Sequence, residues 1–203
     1  MESGGENWTR VDVGPDDDRS GFWIMQRLPT APPILITFGT SIDDTSRYLG
    51  FLRSTDMGKT WELFADELRN KSISNFAVSG DGQVIYVNES GTYFGWISTD
   101  GGETWSQCDI IQVNGPIAVS PVDSNLALFG SPGDLRRSTN GLDIFRVVMN
   151  THTPIREIVF APSDPNIVYA ETDGYLLYRS DDAGLTWQLL VNIRDDVLNT
   201  QLE

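Results

Sequence analysis

Residues Ser54 to Trp61 read Ser-Thr-Asp-Met-Gly-Lys-Thr-Trp, and this phrase returns along the chain. It recurs as Ser-Thr-Asp-Gly-Gly-Glu-Thr-Trp at Ser98 to Trp105 and as Ser-Asp-Asp-Ala-Gly-Leu-Thr-Trp at Ser180 to Trp187. A degenerate copy, Ser-Thr-Asn-Gly-Leu-Asp-Ile-Phe, lies at Ser138 to Phe145. The first serines are 44, 40 and 42 positions apart. A period of about 40–45 residues is typical of four-stranded units stacked into a β-propeller.

Each repeat predicts four short strands, because runs of β-branched and aromatic residues alternate with clusters of turn-forming residues. No segment keeps a 3.6-residue apolar period, so we expect almost no helix. The predicted fold is an all-β propeller of four-stranded antiparallel blades within a single domain, residues 1–203. About four blades are expected, with bounds of about 22–64, 73–108, 115–149 and 155–191. An orphan outer strand is expected before them, at residues 8–11.

The residue types of the phrase suit a tight hairpin between the third and fourth strands. The serine ends one strand, the aspartate accepts hydrogen bonds from turn N–H groups, and the glycine supplies a positive φ. The tryptophan opens the next strand with a large apolar surface. We therefore predict a structural role for the motif residues, which are Ser54, Asp56, Gly58, Trp61, Ser98, Asp100, Gly102, Trp105, Ser138, Asn140, Phe145, Ser180, Asp182, Gly184 and Trp187.

The pattern Ser-x-Asp-x-Gly-x-Thr-Trp resembles the Asp-box, or bacterial neuraminidase repeat, of sialidases, sortilin-type receptor domains, xyloglucanases and photosystem assembly factors. This resemblance implies that the motif lies at the blade periphery, away from the ligand face. In the third copy Asn140, Leu142 and Phe145 replace Asp, Gly and Trp, so we expect that hairpin to be looser. The resemblance also suggests an extracellular or periplasmic protein, although residues 1–6 do not look like a signal peptide.

Composition excludes several classes of function. With 29 acidic and 14 basic residues the formal charge is −15, which disfavours binding to nucleic acid or to anionic membranes. No apolar run has the roughly 20 residues of a spanning helix, so no membrane insertion is expected. The single cysteine, Cys108, excludes an internal disulfide and a cysteine-based zinc site, and we expect no cofactor and no metal.

A ligand site is expected on the loops between second and third strands and on the connections between blades. Carboxylates and aromatic rings gather there, and together they suit sugar binding. The predicted ligand-binding residues are Asp44, Tyr93, Glu171 and Tyr175. If the protein is an enzyme, loop carboxylates would act as a glycosidase pair, and the catalytic candidates are Asp43, Glu89 and Asp173.

Two functions therefore follow from the sequence. The first is a non-catalytic binding or scaffold module that presents a loop-lined face to a protein or carbohydrate partner. The alternative is a glycoside hydrolase, similar to sialidases or xyloglucanases. Four blades close a small ring, complete a ring by self-association with a second copy, or belong to a longer protein, and the sequence leaves these three arrangements open.

Overall fold

The structure is a computed structural model that describes residues 20–28, 32–41, 48–92, 94–108, 115–141 and 144–192. Within these ranges the chain forms four antiparallel sheets of four strands each. In every sheet the hydrogen-bonded order of the strands follows their order along the chain. The only helix of the described residues is a single 3-10 turn at Asp66–Leu68. The predicted all-β fold of four-stranded antiparallel blades is confirmed.

The chain divides into two compact units, and the first, Met1–Lys71, contains one sheet. Its strands are β1 (Ser20–Leu28), β2 (Ile34–Ser41), β3 (Tyr48–Ser54) and β4 (Glu62–Phe64). The core of this unit contains packed aromatic rings. The ring centroid of Phe51 lies 5.2 Å from that of Phe38 and 5.9 Å from that of Phe64. Leu68 of the 3-10 turn is fully buried, so the connection that leaves the sheet also contributes to the core.

The second unit, Ser72–Glu203, contains the other three sheets. The second sheet comprises β5 (Ile73–Val78), β6 (Ile85–Glu89), β7 (Gly95–Ser98) and β8 (Ser106–Cys108). The third comprises β9 (Ile117–Val119), β10 (Ala127–Gly130), β11 (Asp134–Ser138) and β12 (Arg146–Asn150). The fourth comprises β13 (Ile155–Phe160), β14 (Val168–Thr172), β15 (Leu176–Ser180) and β16 (Gln188–Asn192).

The three sheets of the second unit pack face to face. One apolar cluster joins the second and third sheets and includes Tyr86 and Phe129. Another joins the third and fourth sheets and includes Leu128 and Val168. Because Leu128 and Phe129 are neighbours on β10, their side chains point to opposite faces of the third sheet. All four residues of β10 are buried in consequence, as expected for a strand packed on both faces.

Details of the strand bounds differ from the sequence-based expectation. The fourth strands begin one residue after the motif tryptophan or phenylalanine. The indole nitrogens of Trp61, Trp105 and Trp187 donate to carbonyl groups of their own turns. Tyr175 precedes β15 instead of opening it, because its backbone is left-handed, with a φ of 60°. The predicted orphan strand at residues 8–11 lies outside the described residues.

Candidate functional site

The repeated phrase closes its hairpin with a compact set of hydrogen bonds. In the second sheet, the buried Ser98 Oγ donates to Asp100 Oδ1 (2.8 Å) and accepts from the Gly102 N–H (2.8 Å). The other end of the turn is held by Thr104, whose N–H donates to Asp100 Oδ1 (2.9 Å) and whose hydroxyl donates to Oδ2 (2.6 Å). Trp105 Nε1 donates to the Gly102 carbonyl (3.1 Å). One carboxylate therefore connects both strands of the hairpin.

The two other full copies repeat this arrangement almost without change. The threonine hydroxyl bond to the aspartate measures 2.6 Å at both Asp56 and Asp182. In the degenerate copy Asn140 accepts from Ser138 Oγ (3.0 Å) and from the Ile144 N–H (3.1 Å). Ile144 has no hydroxyl to donate, and the acceptor is a neutral amide, so the third hairpin loses the charge-assisted part of the closure.

Each hairpin of the second unit is also tied to the turn between the first and second strands of its own sheet. The residue after the motif aspartate or asparagine has a left-handed backbone, and its N–H points at that neighbouring turn. Gly101 donates to the Gln83 carbonyl (2.8 Å), Ala183 to the Asn166 carbonyl (2.8 Å) and Gly141 to the Asn125 carbonyl (3.3 Å). These bonds place the hairpins and the first turns at one edge of each sheet.

The motif carboxylates are unusually acidic. Hydrogen bonds from the hydroxyl and N–H of Thr104 lower the pKa of Asp100 to about 2, and those of Thr60 do the same for Asp56. At Asp182 the loss of hydration opposes the shift, but bonds from Thr186 and Ser180 outweigh it and the pKa is again about 2. The ordinary value is 3.8, so the folded chain holds these groups ionised in mildly acidic solution.

This acidity predicts a defined loss of stability at low pH. A carboxylate whose pKa falls on folding stabilises the fold above its unfolded value of 3.8, and this contribution is lost as the pH falls towards 2. We expect the urea midpoint to fall steeply between about pH 4 and pH 2. A chain carrying Asp56→Asn, Asp100→Asn and Asp182→Asn should show a shallower slope, with the remainder due to Asp81 and Asp134, whose pKa values are also lowered. An unchanged slope in that variant would contradict the assignment.

The loops that the sequence predicts as the ligand site lie at the opposite ends of the strands. We call this end of the sheets the loop edge. In the second unit it comprises residues 89–92 and 94–95, 130–134 and 171–175, where second strands lead into third strands. Three backbone bonds link these loops to the neighbouring connections: Ser90 N–H to the Ser72 carbonyl (2.6 Å), Thr151 N–H to the Gly133 carbonyl (2.9 Å) and Asp173 N–H to the Pro154 carbonyl (2.9 Å). Backbone hydrogen bonds therefore hold each of these loops against a neighbouring connection.

The described carboxylates of the loop edge contact polar partners of their own sheet. Glu89 Oε2 accepts from Trp96 Nε1 (2.9 Å), and Asp173 forms an ion pair with Arg156. The carboxylate of Asp134 accepts from Arg136 Nε (2.8 Å) and Nη2 (3.1 Å), and these bonds hold its pKa below its ordinary value. Glu171 lies within β14, not in the loop, opposite Glu157 of β13.

Two aromatic rings of the loop edge are exposed just before third strands. Phe94 directly precedes β7 and Tyr175 directly precedes β15, and they are 45% and 57% exposed. Thr92 Oγ1 accepts from the Phe94 N–H (3.2 Å), whereas the Tyr175 N–H donates to the Thr172 carbonyl (3.1 Å). A left-handed backbone is rare for a residue as large as tyrosine, so the fourth sheet holds Tyr175 in a costly conformation.

The structure describes only some of the residues that the sequence predicts for the ligand site. Tyr175, Glu171 and Asp173 lie together at one end of the fourth sheet, and Glu89 lies at the corresponding end of the second. Asp43, Asp44 and Tyr93 lie outside the described residues. Phe94 is not among the residues predicted from the sequence, and its exposure is known only from the structure.

Comparison with known proteins supports the interpretation of the hairpins. The sequence profile of the BNR/Asp-box repeat matches residues 96–107. This stretch runs from β7 into β8 and contains the hairpin of Asp100. The chain contains a BNR/Asp-box repeat, and its four-stranded antiparallel sheets have the form of β-propeller blades. The profile covers one copy only, and the other Asp-boxes follow from their matching sequence and hydrogen bonds. No curated protein sequence matches the chain.

Solved structures share the fold of these Asp-box blades at low sequence identity. The GH74 enzyme of Niastella koreensis superposes with a TM-score of 0.59 at 19% identity, covering 85% of this chain and 30% of the enzyme. YCF48 from Cyanidioschyzon merolae gives 0.58 at 18% identity, covering 84% of this chain and 56% of YCF48. A structure of YCF48 bound to D1 peptide gives 0.50 at 16% identity, covering 89% and 60%. The chain thus spans under two thirds of each relative, and the similarity shows the fold alone.

Two further features of the described residues bear on function. Within the described ranges, no three His, Cys, Asp or Glu side chains gather in a way that could hold a metal ion. None of the helical residues there forms a segment long and apolar enough to cross a membrane.

Proposed function

We propose that this chain is a non-catalytic binding module that takes an extended ligand, a peptide or a glycan, on its loop edge. The proposal depends on one observation: an exposed aromatic ring directly precedes the third strand in two sheets, Phe94 four and Tyr175 five positions before the motif serine. Flat aromatic rings bury much area for little loss of conformational entropy, and they contribute strongly to many binding surfaces.

The state of the loop-edge carboxylates favours binding over hydrolysis. A glycosidase needs one carboxylic acid with a raised pKa and a second carboxylate to attack or to activate water. Asp134 has the opposite property, since Arg136 lowers its pKa, and Asp173 is engaged by Arg156. These groups are arranged to hold the loops in place, which suits a rigid docking surface.

The similar structures are compatible with this proposal. YCF48, which shares the fold of this chain, has been solved with a D1 peptide bound. The GH74 structures are those of enzymes, and this chain covers less than a third of the length of the Niastella koreensis enzyme. A peptide or glycan ligand on the loop edge is therefore the function to be tested first.

The experiment compares ring variants on peptide and glycan arrays. We expect Phe94→Ala and Tyr175→Asn to weaken binding at least about tenfold, because a well-packed aromatic anchor contributes ~2 kcal/mol. Asparagine is chosen at position 175 because it tolerates the left-handed backbone. The control is Val122→Ala, since Val122 is 73% exposed in the turn at the opposite edge of the third sheet.

Two results would contradict the proposal. Equal binding by the ring variants and the parent chain would exclude the loop edge as the docking surface. The other is turnover of chromogenic glycosides by the parent chain. If Glu89→Gln or Asp173→Asn abolished that turnover, the hydrolase function would be established instead.

A further inference from the structure

The third sheet carries a pair of like charges at a position of its third and fourth strands where no other sheet has one. Arg137 of β11 and Arg146 of β12 are registered partners on adjacent antiparallel strands, so their side chains share one face. The equivalent pair of the first sheet is Arg53 and Glu62, which form an ion pair of 2.7 Å. Like charges placed directly opposite one another are destabilising, so the arginine pair costs stability unless an anion lies between the two side chains.

The fourth sheet shows how the same arginine position is neutralised elsewhere. Arg179 pairs in register with Gln188, and Asp181 accepts from both its Nε (2.9 Å) and its Nη2 (2.6 Å). The residue equivalent to Asp181 in the third sheet is Thr139, which is uncharged. The degenerate repeat therefore lacks both the carboxylate that pairs with this arginine in the first sheet and the one that pairs with it in the fourth.

The arginine pair lines a cleft of about 320 Å³ between the third and fourth sheets. Thr139 and Asn140 add polar groups, Ile144 and Leu185 add apolar walls, and no acidic residue of the described part of the chain contributes to the lining. Arg137 is oriented by its Nε, which donates to the Ala183 carbonyl (3.0 Å). That bond uses one of the five N–H donors of the guanidinium.

We propose that this arginine cleft binds an oxyanion, a carboxylate or phosphate group that carries an apolar substituent. Two guanidinium groups on one face match the oxygens of such a head group with charge-assisted hydrogen bonds. Ile144 and Leu185 contact the substituent. This site lies on the Asp-box edge of the sheets and is independent of the loop edge. Its lining includes Asn140 and Ile144, which stand in the third copy where the full copies have aspartate and threonine.

Titration calorimetry with sodium hexanoate and with hexyl phosphate, at constant ionic strength in chloride, tests the proposal. Saturable binding of either probe supports it, and the probe that binds identifies the head group. Arg146→Gln should weaken binding about 10- to 100-fold, as expected for loss of a charge-assisted hydrogen bond. The matched control, Arg156→Gln, removes an exposed arginine from the loop edge and should bind like the parent chain.

A second measurement checks the charge argument without ligand. Arg146→Glu restores the pairing seen between Arg53 and Glu62, and its melting temperature should rise above that of the parent chain. Absence of saturable binding by both probes, equal binding by Arg146→Gln, or a lowered melting temperature of Arg146→Glu would each overturn the proposal.

Discussion

Replacing Gly80 by alanine is expected to lower the free energy of unfolding by more than about 3 kcal/mol. A Cβ at this position would lie 2.0 Å from the Pro121 carbonyl oxygen and 2.8 Å from its carbon. Both atoms belong to the backbone, so no side-chain rotation can relieve the collision. The turns of the second and third sheets would have to separate, which would also open the apolar cluster between those sheets.

Urea unfolding of Gly80→Ala measures this effect, and Gly133→Ala is its matched control. No heavy atom lies within 4 Å of a Cβ built on Gly133, so alanine there meets open space. We expect Gly133→Ala to change stability little or to raise it by about 0.4–1 kcal/mol through the unfolded chain. Equal urea midpoints for the two variants would show that the blades do not pack as closely as the structure indicates.

The contrast between these glycines shows what the sequence could and could not predict. The Asp-box hairpins were predictable because Ser98, Asp100 and Thr104 interact within seven residues, and residue types alone define such a closure. The approach of Gly80 to Pro121 joins two turns of different sheets, and no local pattern marks it.

The same limit applies to the two sites. The Arg137 bond to the Ala183 carbonyl spans 46 positions, so the arginine cleft follows only from the packing of the sheets. On the loop edge, the loops join second to third strands as the sequence predicts and Tyr175 is exposed, while their role in ligand binding stays a prediction. The sequence could not indicate that arginines engage Asp134 and Asp173, because the pairing depends on strand register.

Ser98→Ala is the second change with a large expected effect, and it tests the structural role proposed for the Asp-box. The buried Ser98 hydroxyl accepts from the Gly102 N–H and donates to Asp100. Alanine leaves a buried N–H without its acceptor, which costs about 1–3 kcal/mol. It also removes one of the bonds that lower the pKa of Asp100, so that pKa should rise towards its ordinary value.

Ser138→Ala is the control in the degenerate copy, where the motif acceptor is the neutral amide of Asn140. A hydrogen bond to a charged group is roughly twice as strong as one between neutral groups, so the loss at Ser138 should be about half of that at Ser98. Calorimetric melting of both variants, with array binding measured in parallel, separates the two roles of the motif. If Ser98→Ala melted like the parent chain but lost its ligand, the Asp-box would be part of the binding surface. We expect Ser98→Ala to lower the melting temperature and to leave binding unchanged. This is because the hairpin closure lies on the edge opposite the proposed ligand site.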